Sequence, residues 1–258
     1  MLDTHIDFIK AGAQVIVTTT FTTRKLRLRD NGVEDKFEYL NRKAGEIAKK
    51  AKDLYPKTLI AGGLPPQYIT YEADTRSDNE IRNDFFSQAK ILNDYVDFFY
   101  FDVLSSVREF KIAIEAIKNF NKPYLVGAHI SEGTKLPSGE KISEILKVTS
   151  SDKMLGLILS CVSPENYELN LNEIKNLGVP FGFKLNAFIK TNPKPNYAGA
   201  YKKNKTRNPN ELLGQRKDLT PEKMAEFAKR FKESGATILG GCCETRPAHI
   251  KEMSKLIL

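Results

Sequence analysis

Short apolar runs alternate along the chain with segments of helical periodicity. Seven runs have the length and the β-branched and aromatic content of buried strands, and each is followed by a helical pattern. The predicted strands are 15–19, 58–62, 97–103, 124–130, 155–161, 181–187 and 236–242. The predicted helices are 3–11, 34–54, 79–94, 107–119, 139–148, 164–176, 221–234 and 247–256. Such alternation is typical of parallel βα units.

One helix followed by seven βα units is the order of a (β/α)8 TIM-type barrel without its first strand. A length of 258 residues suits one barrel, so we expect a single, N-terminally incomplete domain over 1–258. A flavodoxin-like open sheet is the structural alternative, but seven consecutive βα units favour the barrel. The active sites of such barrels lie in the loops after the carboxyl ends of the strands, so we expect the functional residues there.

The composition narrows the class of protein. With 41% hydrophobic and 28% charged residues, the chain has an ordinary globular composition. No apolar stretch has bilayer length and the start lacks the features of a signal peptide, so we expect a cytoplasmic protein without a membrane partner. The net charge of +8 comes from scattered lysines with no aromatic-interleaved basic stripe, which argues against nucleic acid. The most basic stretch, 190–217, is predicted to be a long loop.

Three cysteines lie at the ends of predicted strands. Cys161 closes the run 155–161, and Cys242 and Cys243 follow two glycines at the end of the last strand. Adjacent residues of a strand point to opposite faces, so Cys242 and Cys243 can share a metal only where the strand has ended. Three thiolates at one rim would form a zinc site with an open fourth position, as in catalytic zinc sites. The alternative is that each is a small buried hydrophobe.

An open fourth position suits a substrate thiol. A free thiol has a pKa of about 8.5, whereas a metal-bound thiol is deprotonated. The resulting thiolate suits displacement on a carbon attached to an onium leaving group. His5, His129 and His249 show no metal-ligand spacing, and only His129, near a strand end, is placed to line the pocket.

The motifs resemble those of the homocysteine S-methyltransferase family of zinc-dependent (β/α)8 enzymes, which includes betaine-homocysteine methyltransferase and the homocysteine domain of cobalamin-dependent methionine synthase. The resemblance covers essentially the whole chain, and 240–250 is its most specific part, similar to the family's Gly-Gly-Cys-Cys motif. Weaker matches are Ser160-Cys161, Asn186-Ala187, Ala11-Gly12-Ala13, Thr18-Thr19-Thr20-Phe21 and 61–66.

The resemblance implies roles for particular residues. Cys161, Cys242 and Cys243 would bind Zn2+, Asp102 would hold the substrate's amino group in place of the family's glutamate, and Thr20 and Asn186 would line the pocket. It also implies a first strand ending in Asp-Gly-Gly, which this chain does not contain. We interpret this as an incomplete version of the gene product. The alternatives are closure by another segment or subunit, and degeneration.

The leading hypothesis is zinc-dependent transfer of a methyl group from an onium donor to homocysteine, giving methionine. The expected partners are these two small molecules, and the sequence leaves open whether the chain forms a homo-oligomer. One alternative is a zinc-binding barrel remnant without activity, and another is a domain that serves a separate cobalamin-binding partner. Loop aromatics that would suit a cationic donor are Phe21, Tyr68, Tyr71, Tyr197 and Tyr201.

Overall fold

The computed structural model describes residues 1–149, 152–189 and 213–257. Its seven parallel strands correspond to the seven predicted ones and follow the order β1 to β7 across one curled sheet. They are β1 Val15–Val17, β2 Leu59–Leu64, β3 Phe98–Leu104, β4 Tyr124–Ala128, β5 Met154–Val162, β6 Phe181–Leu185 and β7 Ile238–Gly241. The prediction of a (β/α) barrel architecture is confirmed, and the strand ends differ from those predicted by a few residues.

Helices connect and cover the strands. They are α1 Leu2–Lys10, α2 Lys25–Asp30, α3 Phe37–Leu54, α4 Asp78–Leu92, α5 Val107–Ile117, α6 Pro164–Lys175, α7 Pro221–Glu233 and α8 Pro247–Ser254. Helices α6 and α7 begin as the sequence predicts, because Ser163 and Thr220 accept backbone hydrogen bonds ahead of a proline in the first turn. None of the helices in the described ranges combines the length and apolar character needed to span a membrane.

The structure differs from the predicted elements at two places. The α-helix expected over 139–148 is a 3-10 helix, Ile142–Lys147, whose buried side chains Ile142 and Ile145 are spaced by the three residues of a 3-10 turn. The short α2 was not predicted, because its Lys-Leu-Arg-Leu-Arg pattern alternates like a strand. The predicted loop 190–217 lies outside the described residues up to position 212, as do Tyr197 and Tyr201.

Each strand has two differently packed faces. Phe99 and Phe101 of β3 belong to the large outer core, where Phe101 packs edge-on against Phe85 of α4 and Phe110 of α5. The alternate residues, Phe98 and Tyr100, point to the inside of the curl, where they join a smaller cluster with Ala61, Leu125 and Ile158. The interior is therefore apolar at its amino end, and polar groups appear toward the carboxyl end.

The sheet is open between its first and last strands. In the described part of the chain, β1 pairs only with β2, and β7 pairs only with β6. Outside this gap the ends of α1 and α8 approach closely, because a Cβ at Gly12 after α1 would lie 2.5 Å from Ser254 Cβ at the end of α8. Beneath them is a cavity of about 620 Å3, lined mainly by apolar residues of both edge strands and reaching Tyr100 and Lys184.

Candidate metal centre and substrate pocket

Three thiols meet at the carboxyl ends of β5 and β7. The Sγ atom of Cys243 lies 3.8 Å from Cys161 Sγ and 3.9 Å from Cys242 Sγ. All three sulfur atoms lie within 4.8 Å of one another. Cys161 is buried and the other two are half-buried. Within the described residues, no other group of at least three His, Cys, Asp or Glu side chains has this proximity.

A β-bulge directs Cys161 into the pocket. The register between β5 and β6 shifts between Ser160 and Val162, and Cys161 has a left-handed φ of 57°. Ser160 already faces inward, where its hydroxyl bonds to Tyr100 Oη, so regular alternation would turn Cys161 outward. The bulge lets both consecutive side chains face the interior. A non-glycine residue in this conformation costs about 1–3 kcal/mol, as is frequent at functional sites.

Cys242 and Cys243 lie in the turn that follows β7, as the sequence predicts. The Cys242 amide still donates to Leu185 O at 2.7 Å, and the turn then closes with Thr245 N donating to Cys242 O at 3.1 Å. Gly241 is needed because a Cβ there would lie 2.4 Å from Thr245 Oγ1. The turn brings adjacent side chains to the same side.

The three sulfur atoms fit a tetrahedral zinc ion. Zinc to sulfur bonds of about 2.3 Å at tetrahedral angles place the ligand atoms roughly 3.8 Å apart, close to the separations of 3.8 and 3.9 Å from Cys243 to Cys161 and Cys242. Hydrogen bonds from Cys242 and Cys243 hold the pKa of Cys161 well below its usual range. Chiefly through its contact with Cys161, the pKa of Cys242 is raised to about 11, and that of Cys243 is also raised. Three thiolates this close repel one another, so a bound cation favours their joint ionisation.

Asn186 and Tyr71 both contact Cys161. Asn186 Nδ2 donates to Cys161 O at 2.7 Å and lies 3.7 Å from its sulfur. Tyr71 Oη lies 3.1 Å from the same sulfur, and its ring packs on His129 with centroids 4.4 Å apart. Burial raises the pKa of Tyr71, so the phenol stays protonated and can donate a hydrogen bond to the sulfur. The sequence suggested Tyr71 only as a loop aromatic, because this contact spans 90 residues.

Asp102 is paired with a lysine that the sequence analysis did not single out. Lys184 Nζ lies 2.7 Å from Asp102 Oδ1 and 2.6 Å from Oδ2, and 5.2 Å from the Tyr100 ring centroid. Burial opposes the charge on Lys184, but the Asp102 carboxylate raises its pKa well above the usual value. The signal for this pair was a single charge within the apolar strand Phe-Gly-Phe-Lys-Leu.

The remaining candidates have mainly internal partners. The Thr20 hydroxyl donates to Gly63 O at 2.6 Å and so fixes the loop after β1 to β2. Burial lowers the pKa of His129 to about 4, which keeps the imidazole neutral between Ser160 O and Ser131 Oγ. The rings of Phe21 and Tyr68 each have an internal arginine over them, Arg24 at 5.4 Å and Arg76 at 5.2 Å. An apolar shell of Tyr71, Val103, Phe188, Leu213 and Phe21 surrounds the thiols.

Comparisons with known proteins agree with this architecture. The family model described as homocysteine S-methyltransferase matches residues 1–257. The chain is 24% identical to the selenocysteine methyltransferase of Astragalus bisulcatus, over 98% of this chain and 81% of that protein. It is 26% identical to betaine-homocysteine S-methyltransferase 1 of Mus musculus, over 97% of this chain and 62% of that protein.

Solved structures show the same fold. The metallated form of the homocysteine methyltransferase MmuM from Escherichia coli superposes with a TM-score of 0.77 at 18% identity, covering 98% of this chain and 83% of that one. Its oxidized form gives a TM-score of 0.76 at 19% identity. With the family model spanning nearly all residues, this chain belongs to the homocysteine S-methyltransferase family.

Proposed function

We propose that this protein is a zinc-dependent methyltransferase that transfers a methyl group from an onium-type donor to the thiol of homocysteine, giving methionine. The observation that supports it best is the convergence of three thiols within 4.8 Å at the strand ends. Family membership supports the class of reaction. The cysteines in their free, reduced form suit the cytoplasm, where we place the protein.

Cys161, Cys242 and Cys243 would hold the metal. When bound, zinc supplies a Lewis acid that lowers the pKa of a fourth, substrate thiol. Asn186 fixes the backbone of Cys161, and Tyr71 supports its sulfur, so the ligands keep their separation without rearrangement. In the transfer, the acceptor sulfur forms a bond to the methyl carbon as the bond from that carbon to the onium atom breaks. The donor departs as a neutral sulfide or amine, and the thiol proton is lost.

The environment of the thiols suits this displacement. Tyr71, Val103 and Phe188 present apolar surface around the sulfur atoms, which limits water at the site. The charge of an onium donor disperses in the transition state, so a poorly hydrated pocket favours the transfer. The relatives include a selenocysteine methyltransferase and a betaine-homocysteine S-methyltransferase. Homocysteine should therefore be compared with selenocysteine as the acceptor, and betaine with other onium compounds as the donor.

Metal content and methyl transfer test the proposal together. We expect about one zinc per purified chain, lost in Cys242→Ser, and methionine formation from homocysteine with at least one donor among S-methylmethionine, betaine and other sulfonium or ammonium compounds. A chain without zinc, or zinc unaffected by Cys242→Ser, would contradict the metal site. Zinc without transfer from any donor would favour the non-catalytic alternative, and transfer from methylcobalamin alone would favour the domain that serves a cobalamin partner.

A further inference from the structure

Lys184 is a charged residue on the inner face of the sheet, and the proposed function gives it no role. Its neighbours in β6, Phe183 and Leu185, are fully buried in the outer core, so the alternation of the strand turns Lys184 inward. The exposed fractions of the Lys184 and Asp102 side chains are 17% and 7%. Burying two charges costs several kcal/mol of desolvation, and an apolar pair of similar volume often stabilises a protein as well or better. Stability alone therefore gives a weak reason for this pair.

The pair lies next to the thiol site and borders open space. Lys184 is two residues before Asn186, which bonds to Cys161, and it is in register with Gly240, two residues before Cys242. Both Lys184 and Gly240 line the cavity of about 620 Å3. A Cβ at position 240 would be in contact with Lys184 Cγ at 3.7 Å, so glycine keeps the space beside the lysine stem free. A ligand whose sulfur is at the thiols thus has room beside the pair.

The hydrogen-bonding capacity of the pair is only partly used. An ammonium group has three N–H donors, and the hydrogen bonds to Asp102 use two of them. A carboxylate has about four acceptor sites, and Asp102 uses two for Lys184 and one for the Tyr100 hydroxyl, so one position remains free. An adjacent ammonium and carboxylate form a dipole of full charges. The ligand that best complements it carries the opposite arrangement, an ammonium and a carboxylate on one carbon, which is an α-amino acid.

We propose that Lys184 is a specificity-determining residue that binds the carboxylate of the acceptor amino acid. The inference rests on the proposed function and deepens it. The acceptor's carboxylate takes the third N–H of Lys184, and its ammonium group contacts Asp102, so the pair becomes a four-charge cluster. The ion pair thereby selects thiols that are amino acids over simple thiols, and the zinc ligands have no part in that selection.

Three acceptor compounds with a thiol group test the two charges of the amino acid one at a time. Homocysteine has both, homocysteamine lacks the carboxylate, and mercaptobutyrate lacks the amino group. Binding of each thiol to the zinc-loaded full-length chain is measured by calorimetry, together with KM and kcat for methyl transfer. Lys184→Met should weaken homocysteine and mercaptobutyrate by about ten- to a hundredfold, the effect of losing a hydrogen bond between charged groups, and change homocysteamine by less than about threefold. Lys184→Arg should recover part of the loss.

The controls separate a role in specificity from a role in folding. Lys52 forms a similar pair with Asp97, at 2.6 Å and near the amino end of β3, so Lys52→Met tests the loss of such a pair away from the thiols. Zinc content and the thermal unfolding midpoint are measured for every variant. If Lys184→Met does not fold, the double variant Lys184→Met with Asp102→Asn removes both charges together and should bind the three thiols with similar affinity.

The possible results are distinguishable. The inference is overturned if Lys184→Met weakens homocysteamine as much as homocysteine, or leaves homocysteine binding unchanged, while the wild type binds and methylates homocysteine. A zinc-loaded wild type that binds none of the three thiols contradicts the proposed function, and the inference fails with it. An increase in KM for homocysteine with kcat retained in Lys184→Met supports a binding role, because a distorted metal site would lower kcat.

Discussion

The rim that carries the thiols and the gap between β1 and β7 are built in opposite ways. At the rim, β5, β6 and β7 remain hydrogen-bonded to their last residues, and a bulge and a tight turn direct three sulfur atoms to one point. At the gap, each edge strand has one neighbour within the described residues, and mostly apolar side chains line the cavity between them. The rim has specific polar geometry, whereas the cavity at the gap is lined mainly by apolar residues.

This difference shows that the thiol site depends on local features of three consecutive strands. The left-handed Cys161, the Asn186 hydrogen bond and the turn at Gly241 all lie within β5 to β7 and the residues just after them. None of them requires contact between β1 and β7. The gap should therefore reduce stability more than it changes the placement of the thiols.

The largest expected contrast is in the outer core. Leu159 in β5 and Leu239 in β7 both pair in register with Phe183 of β6, but Leu159 is fully buried and Leu239 is half-buried beside the gap. Leu159→Ala should lower the free energy of unfolding by about 3–4 kcal/mol, because it leaves a closed cavity. Leu239→Ala should cost about 1–2 kcal/mol, because its site is already partly open. Chemical denaturation measures both, and equal costs would show that the edge is as closed as the centre.

The next effect concerns a buried carboxyl group and the pH dependence of stability. Glu109 is fully buried behind the rim, and burial raises its pKa from 4.5 to about 7, against a hydrogen bond from Ser106. Between these values the folded state keeps the proton that the unfolded state has released. Stability is therefore complete below about pH 4.5 and declines as the pH rises through about 7, by up to about 3 kcal/mol.

Glu109→Gln removes this ionisation. We expect the unfolding free energy of the variant to fall less between pH 5 and pH 8 than that of the wild type, by up to about 3 kcal/mol. Glu115→Gln, on the same helix α5 but 40% exposed, is the matched control and should keep the wild-type slope. Parallel slopes for Glu109→Gln and the wild type would place the pH dependence elsewhere.

A smaller effect concerns the support of the proposed metal ligands. Asn186→Ala removes the hydrogen bond to Cys161 O, so zinc affinity measured by competition with a chelator should fall by about ten- to a hundredfold. Asn170 is equally buried and donates to Gly133 O at 2.8 Å, away from the thiols. Asn170→Ala should alter stability but leave zinc affinity unchanged. If both variants lose zinc equally, the effect is a general loss of structure.

The sequence predicted those features that depend on local pattern. Apolar runs located all seven strands, and Gly240-Gly241 before Cys242-Cys243 located the turn that carries two of the three thiols. The Lys184 to Asp102 pair, 82 residues apart, depends on which residues of β3 and β6 face inward at the same height. The register of β3 with β4 also shifts at a bulge at Asp102 and Val103. Single-sequence periodicity does not encode such shifts, and the same holds for the bulge at Cys161.

The smallest expected effect tests whether water reaches the gap. Val17→Thr and Val126→Thr make the same near-isosteric change, at a half-buried position that lines the cavity and at a fully buried one in the outer core. At position 126 a hydroxyl without a partner should cost about 1–3 kcal/mol of unfolding free energy. At position 17 solvent can satisfy the hydroxyl, so the cost should stay below about 1 kcal/mol. An equal cost at both positions would mean that the gap is dry and covered in solution, and the contrast between rim and gap would then be one of chemistry alone.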